Sequence, residues 1–246
     1  MKLLIDAGNT RIKWALVADD GAWLRDGVLP VGQAGELPGL FADAQGLQQI
    51  WVSNVAGTEV THHIRNIRVG QPAQHHVVAQ QLQCGVRNGY SNAAQLGSDR
   101  WASLIAAWHL VQGECLVVNC GTAITIDALS GKGEFLGGLI LPGVELMQRS
   151  LIAATDQLKP ALAQLDQGKY ARFPQNTADA LFSGAIQASC GAIQRQHALL
   201  DDDEAPVVLS GGAAGLLCEN INLPLRVVDN LVLQGLLLIS QESNAR

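Results

Sequence analysis

The sequence predicts an α/β protein of two similar halves, each a mixed sheet flanked by helices. Three observations carry that reading. Apolar strands come as strand–turn–strand pairs, and one such pair recurs half a chain later. The composition also suits a compact α/β core: 48% of the 246 residues are hydrophobic, only 15% are charged, and glycine is abundant at 26. A chain of this length makes one large domain or two small ones and buries about 70% of its unfolded surface. Such a mix excludes disordered, coiled-coil and collagen-like chains.

The repeat organises the rest. Leu3-Leu4-Ile5-Asp6-Ala7-Gly8-Asn9 matches Leu116-Val117-Val118-Asn119-Cys120-Gly121-Thr122 at an offset of 113 residues, and the match runs without a gap to Ala15-Leu16 and Ala128-Leu129. Each copy reads as an apolar strand, a turn bearing D/N-x-G, and a returning strand over Ile12 to Val17 or Ala123 to Leu129. One hairpin is commonplace; two copies half a chain apart point to a duplicated domain. The expected division falls near Gly113, giving domains 1–113 and 114–246.

Other elements follow in order. Trp51 to Val55 and Val77 to Ala79 are short strand candidates. A helix is expected from Ser98, a good N-cap, with Trp101, Leu104, Ile105, Trp108 and Val111 along one face. Phe135 to Leu141 is apolar and broken by glycine, and Pro142-Gly143 ends it ahead of a helix from Val144. Asn176 or Thr177 can cap a long helix to about Leu200, whose small residues Gly184, Ala185, Ala188 and Ala192 admit another backbone. Pro206 to Leu209 is a strand running into Ser210-Gly211-Gly212 and a further helix, and Asn230 to Ser240 is a closing helix.

Charge and cysteine content narrow the class. Lys and Arg number 16 against 22 Asp and Glu, a formal charge of −6. No basic stripe stands out, so neither nucleic acid nor a membrane is the expected partner. Cys84, Cys115, Cys120, Cys190 and Cys218 form an odd set without a C-x-x-C pair, the mark of reduced thiols. The start leaves no room for a signal-peptide apolar region before Asp6, and no apolar run spans a bilayer. A cytoplasmic protein is expected. His62-His63 and His75-His76, as adjacent pairs, do not make a usual metal site and read as surface histidines.

The hairpin turns are where chemistry is expected. A strand ending in Asp6-x-Gly8-Asn9-Thr10 sets a carboxylate beside free backbone N–H groups, with Gly8 expected at positive φ and Arg11 adding a fixed charge. Such a turn can hold phosphate oxygens while Asp6 faces Mg²⁺ through water. The copy at Gly121-Thr122 would grip the same polyphosphate. Alternatively, Asp6 and Asn9 merely satisfy turn amides, as Asx residues often do. Neither a Walker loop nor a G-x-G-x-x-G occurs. A hairpin-borne phosphate site in both halves points to the actin, sugar kinase and Hsp70 type of ATPase fold, two duplicated ribonuclease-H-like domains. Asp99 and Arg100, at the head of the helix after Tyr90 to Gly97, supply an ionised carboxylate able to accept a proton; the structural alternative is a helix-dipole partner.

Taken in order, Asp6-x-Gly8-Asn9-Thr10, Tyr90-x-Asn92, Leu96-Gly97-x-Asp99-Arg100, Gly121-Thr122-Ala123-Ile124-Thr125, Gly137-Gly138, Pro142-Gly143, Asn176-Thr177, Ser210-Gly211-Gly212 and Leu231-Val232-Leu233-x-Gly235-Leu236 resemble the type III pantothenate kinases, also known as the Bvg accessory factor family. The resemblance runs the length of the chain. It implies ATP-dependent phosphorylation of pantothenate to 4'-phosphopantothenate, the first step of coenzyme A synthesis. Residue by residue, it implies Asp6 in metal and phosphate organisation, with Gly8, Asn9, Thr10 and Arg11 on the phosphates from one side and Gly121 and Thr122 from the other. Asp99 would be the general base, with Tyr90, Gly97, Ser98 and Arg100 about the pantothenate. Thr177 would reach the substrate from a neighbouring subunit of a homodimer. Ser210, Gly211 and Gly212 would lie near the adenosine.

The resemblance also implies Mg²⁺ and a monovalent cation, K⁺ or NH₄⁺. Two positions depart from the family's pattern. Asn119 stands where the family usually has an Asp tied to that cation. Its neutral oxygen would hold a cation weakly or not at all, unless main-chain oxygens suffice or another group compensates. Ala93 replaces a common Pro, which loosens the segment before Gly97. Two other readings remain open: a non-catalytic regulatory relative of the same fold, and a kinase of another small alcohol.

Overall fold

The computed structural model describes residues 1–155, 158 and 168–245. The chain divides into two compact units: Met1–Gln112 with Gly133–Phe135 and Asn230–Arg246, and Gly113–Lys132 with Leu136–Asp229.

The first unit opens with β1 (Lys2–Ala7), β2 (Arg11–Val17) and β3 (Trp23–Pro30), followed by α1 (Leu37–Leu40), β4 (Gln49–Asn54), α2 (Thr58–Arg65) and β5 (Ala73–His76). Its sheet has the order β3-β2-β1-β4-β5, with β1 antiparallel to β2 and parallel to β4. Strand residues alternate between faces. Leu3, Ile5, Ile12, Ile50 and Val52 therefore share one face, where they form a core with Leu37, Phe41 and Ile64. The short β6 (Leu82–Gln83) and β7 (Val86–Asn88) lead to α3 (Ser98–Val111), which is buried from Arg100 through Ala107. Trp101 is fully buried there, its indole N–H donating to Gln83 Oε1 at 2.8 Å.

The second unit contains β8 (Cys115–Cys120), β9 (Ala123–Leu129), β10 (Glu134–Pro142) from Leu136 onward, α4 (Val144–Ala154), α5 (Thr177–His197), β11 (Val207–Ser210), α6 (Ala214–Cys218) and β12 (Leu225–Val227). The strand order is β12-β11-β8-β9-β10, and β8 again lies antiparallel to its hairpin partner and parallel to the strand on its other side. Leu116, Val118, Cys120, Ile124, Ile126 and Leu209 pack with the buried side of α5. The closing helix, α7 (Leu231–Ala245), belongs to the first unit, where Gly235 lies against the Ala102 backbone of α3.

Several expectations change in detail. The sequence division left 114–246 together, whereas Asn230–Arg246 groups with the first unit, because a bare glycine lets α7 approach α3 so closely. The strand expected over Val77 to Ala79 lies earlier, at Ala73–His76, in parallel register with Gln49–Val52. Gly97, not Ser98, is the N-cap of α3; the Ser98 hydroxyl instead bonds Ser53 Oγ at 2.9 Å. Gly8 is not at positive φ, and its need is space, since a Cβ would lie 3.3 Å from the Arg11 carbonyl. His75 is not a surface histidine: it stacks on Trp51 with ring centroids 4.3 Å apart.

The repeat itself carries one correction. Asp6 pairs with Lys13 across the first hairpin, whereas Asn119 pairs with Thr125 across the second. The first turn closes from Gly8 N to Arg11 O, the second from Gly121 N to Ala123 O, each at 3.0 Å. The second turn is thus one residue tighter. Beyond it the structural equivalence is Lys13 with Thr125, and the ungapped match of Ala15-Leu16 to Ala128-Leu129 is out of register by one.

Candidate active site

In the first unit, the carboxyl ends of β1 and β4 and the head of α3 bring together Asp6, Ser53, Ser98 and Asp99. Asp6 and Ser53 are register partners in the parallel pair, and the Ser53–Ser98 hydroxyl bond ties the β4 end to the helix start. Asp99 Oδ1 accepts from the Arg100 N–H at 2.8 Å, and only a glycine at 97 leaves room for it, since a Cβ there would lie 2.6 Å away. Burial, and then the nearby Asp99 charge, push the Asp6 carboxyl up to about 7, with Lys13 opposing. Two carboxylates held together in this way fit a divalent cation, which would relieve their repulsion. Gly8, Asn9, Thr10 and Arg11 form the adjoining turn, and Asn9 to Arg11 are exposed.

Arg100 is only 6% exposed. Its Nη1 donates to the Tyr90 hydroxyl at 3.2 Å, and its guanidinium lies 5.9 Å from the Tyr90 ring centroid and 5.8 Å from that of Phe135. The Tyr90 backbone is fixed in turn by Asn88 Oδ1, which accepts its N–H at 3.0 Å. This aromatic bracket holds a fixed positive charge one residue beyond Asp99, an arrangement able to orient an anionic substrate beside a proton acceptor.

In the second unit, three segments converge on the β8–β9 turn. Gly143 donates its N–H to the Thr122 carbonyl at 2.8 Å, and the Ala213 N–H reaches the Cys120 carbonyl at 3.1 Å. Gly211, at φ +103°, lies against Cys120, where a Cβ would be 2.5 Å from the carbonyl oxygen. Ser210-Gly211-Gly212 is thereby fixed beside Gly121 and Thr122. Cys120 itself is inert, its thiol pushed up to about 12 by burial. Asn119 is half-buried between Thr125 and Ser210 in register.

Thr177 stands elsewhere in the same unit. It opens α5 behind the Asn176 cap, whose Oδ1 accepts from the Asp179 N–H at 2.9 Å. With Met147, Leu151, Leu181, Gly184 and Ala188 it lines an apolar cavity of about 740 Å³. Among the described residues no group of three or more His, Cys, Asp and Glu could hold a metal ion, and no helix is long and apolar enough to cross a membrane.

The profile of the family described as type III pantothenate kinase matches residues 2–198. A type III pantothenate kinase from Nitrosospira multiformis is 46% identical over 98% of this chain and 92% of that protein. The chain belongs to the type III pantothenate kinase family. Among solved structures, a Campylobacter jejuni protein described as of the Baf family has a TM-score of 0.61 at 23% identity, covering 99% of this chain and all of that one. The activator of 2-hydroxyisocaproyl-CoA dehydratase from Clostridium difficile, solved with ADPNP, has a TM-score of 0.52 at 12% identity, covering 99% and 97%. A putative N-acetylmannosamine kinase from Listeria monocytogenes, with a TM-score of 0.55 at 13% identity over 99% of both chains, shares the fold of two mixed sheets flanked by helices.

Sequence reasoning missed four residues of this pantothenate kinase family member. Lys13, opposite Asp6, needed only the hairpin register to be found. Ser53 and Phe135 gave no signal, because strands distant in sequence bring them to their places, and Thr125 closed the Gly121-Thr122 motif without a role of its own.

Proposed function

We propose that this chain transfers the γ-phosphoryl group of Mg-ATP to the hydroxyl of pantothenate, as a cytoplasmic homodimer. The observation that carries the reading is the Asp99 carboxylate at the head of α3, beside Asp6 and the bracketed Arg100. The family name supports pantothenate as substrate, and the ADPNP held by a protein of the same fold supports ATP.

Phosphoryl transfer asks a protein mainly for alignment and charge neutralisation. When bound, Mg²⁺ would neutralise the phosphate oxygens, with Asp6 holding it through water. Gly8, Asn9, Thr10 and Arg11 from one turn and Gly121 and Thr122 from the other bind the phosphates, and Ser210 to Gly212 take the adenosine. Tyr90, Gly97, Ser98 and Arg100 orient pantothenate, and Asp99 accepts the hydroxyl proton as the oxygen bonds to phosphorus. Thr177 of the partner subunit completes the substrate site. The open small-residue face of α5, where a Cβ on Gly184 would meet nothing within 4 Å, supports the dimer. A monovalent cation, K⁺ or NH₄⁺, assists at the second turn.

Asp99→Asn is expected to lower kcat by about 10²–10⁴ with a modest change in KM, read as ADP release with ATP, Mg²⁺ and pantothenate. Near-normal turnover would remove Asp99 as the base. ADP release that another small alcohol supports and pantothenate does not would point to a kinase of that alcohol, and monomer alone in light scattering would remove the role of Thr177.

A further inference from the structure

We propose that Ser53 is a positioning residue for the phosphoryl transfer: through its hydroxyl bond to Ser98 it fixes the head of α3, and with it the Asp99 carboxylate. The proposal rests on the reading of Asp99 as the general base. Ser53 lies near the carboxyl end of β4, on the face opposite Ile50 and Val52, and is wholly buried. A buried hydroxyl needs a partner. Ser98 Oγ, 45 residues along the chain, supplies it at 2.9 Å, where α3 packs against β4. Among the described residues neither hydroxyl has another hydrogen-bond partner. Sealed from solvent, Ser53 cannot touch substrate and can act only through the residue it holds.

What Ser53 holds is a helix start without a side-chain cap. Gly97, the N-cap of α3, has no side chain to bond the first turn. Asp99 Oδ1 is engaged locally, by the Arg100 N–H at 2.8 Å, so the carboxylate goes where that turn goes. Charge works against its placement. Asp6, the register partner of Ser53, stands on the same strand face, and the Asp6 and Asp99 charges repel. Repulsion alone drives the helix head away from β1. The bond between two neutral hydroxyls opposes it at the register position that Asp6 occupies. Displacing a reacting group by about 1 Å can cost on the order of 10² in rate, so a restraint lost at Ser53 is read in turnover.

The test is steady-state kinetics of Ser53→Ala, Ser98→Ala and the double variant, each with and without Asp99→Asn, beside melting curves of all of them. ADP release with ATP, Mg²⁺ and pantothenate is the readout. Ser53→Ala is expected to lower kcat on the order of tenfold, the scale of one hydrogen bond, with KM for ATP unchanged. Ser98→Ala should lower kcat by the same factor, and the double variant by no more than either, because both remove one bond. With Asp99→Asn in place, Ser53→Ala should change the residual rate by less than about twofold. A role in folding alone would leave kcat of the folded variant near wild type, or lower it equally with and without Asp99→Asn; either result overturns the proposal. Additive losses at positions 53 and 98 overturn it as well. If Ser53→Ala melts below the assay temperature, Ser98→Ala carries the comparison with Asp99→Asn. Near-normal turnover in Asp99→Asn would overturn the general-base reading itself. A silent Ser53→Ala beside an inactive Asp99→Asn would keep that reading and remove only the positioning role.

Discussion

The two hairpin turns share a backbone plan and differ in charge. Around β1 the row is Lys13, Asp6, Ser53; around β8 it is Thr125, Asn119, Ser210. The first carries a carboxylate raised by burial and by Asp99, and the second carries none. The duplicated fold therefore supplies two hairpin turns of one plan, while side-chain substitution gives the strands beside them different charge. The second turn is also tighter by a residue and is packed by backbone from two other segments, at Gly143 and Gly211. The first also takes backbone hydrogen bonds from two other segments, the Val55 N–H to the Ala7 carbonyl at 2.9 Å and the Val31 N–H to the Thr10 carbonyl at 3.0 Å, but a Cβ on its Gly8 would come no nearer than 3.3 Å to its neighbour. One turn is built for charge and the other for close backbone approach.

Neutralising the first row is the most damaging way to break that contrast. Asp6→Asn is expected to lower kcat/KM for pantothenate by about 10²–10³, the scale of removing one preorganised electrostatic group. Steady-state kinetics at saturating Mg²⁺ would read it, and a loss below about threefold would make the two rows interchangeable.

The backbone side of the contrast is tested next. Gly211→Ala forces a side chain onto φ +103° and against the Cys120 carbonyl. A loss of about 2–3 kcal/mol in denaturant melts is expected, with weaker nucleotide binding.

A smaller effect lies in pH. The Asp6 carboxyl keeps its proton up to about pH 7 when folded, against an ordinary value of 3.8. The folded state thus binds more protons between these values, and stability falls as pH rises through that window. Because the side chain is only half-buried, the fall attributable to Asp6 should be on the order of 1 kcal/mol. Melts of wild type and Asp6→Asn from pH 4 to 8 should converge at the acid end, apart from any constant offset. Parallel curves across the range would show that Asp6 titrates normally.

The smallest effect is expected at Gly8→Ala, because Gly8 has ordinary φ and a Cβ would meet only the Arg11 carbonyl at 3.3 Å. Thermal melts should show about 0.5 kcal/mol or less. A loss as large as that at Gly211 would mean that both turns depend on close backbone packing.

Much of this was legible in the sequence, because hydrophobic alternation and turn chemistry are local. The duplicated hairpins, α3 behind Gly97, the long helix capped at Asn176 and the motifs about Asp6, Asp99 and Gly121 all follow from neighbours in the chain. The edge strand β3 was not foreseen, because its exposed residues lack strand alternation. What only the tertiary structure decided is register and neighbourhood. A single residue of difference in turn length sets Lys13 opposite Asp6 but Thr125 opposite Asn119. Non-local contacts also bring Asp99 beside Asp6, fold Phe135 under Arg100 and place α7 against α3. Strand pairing and helix docking are settled by packing between distant segments, and no local pattern records which residue will face which.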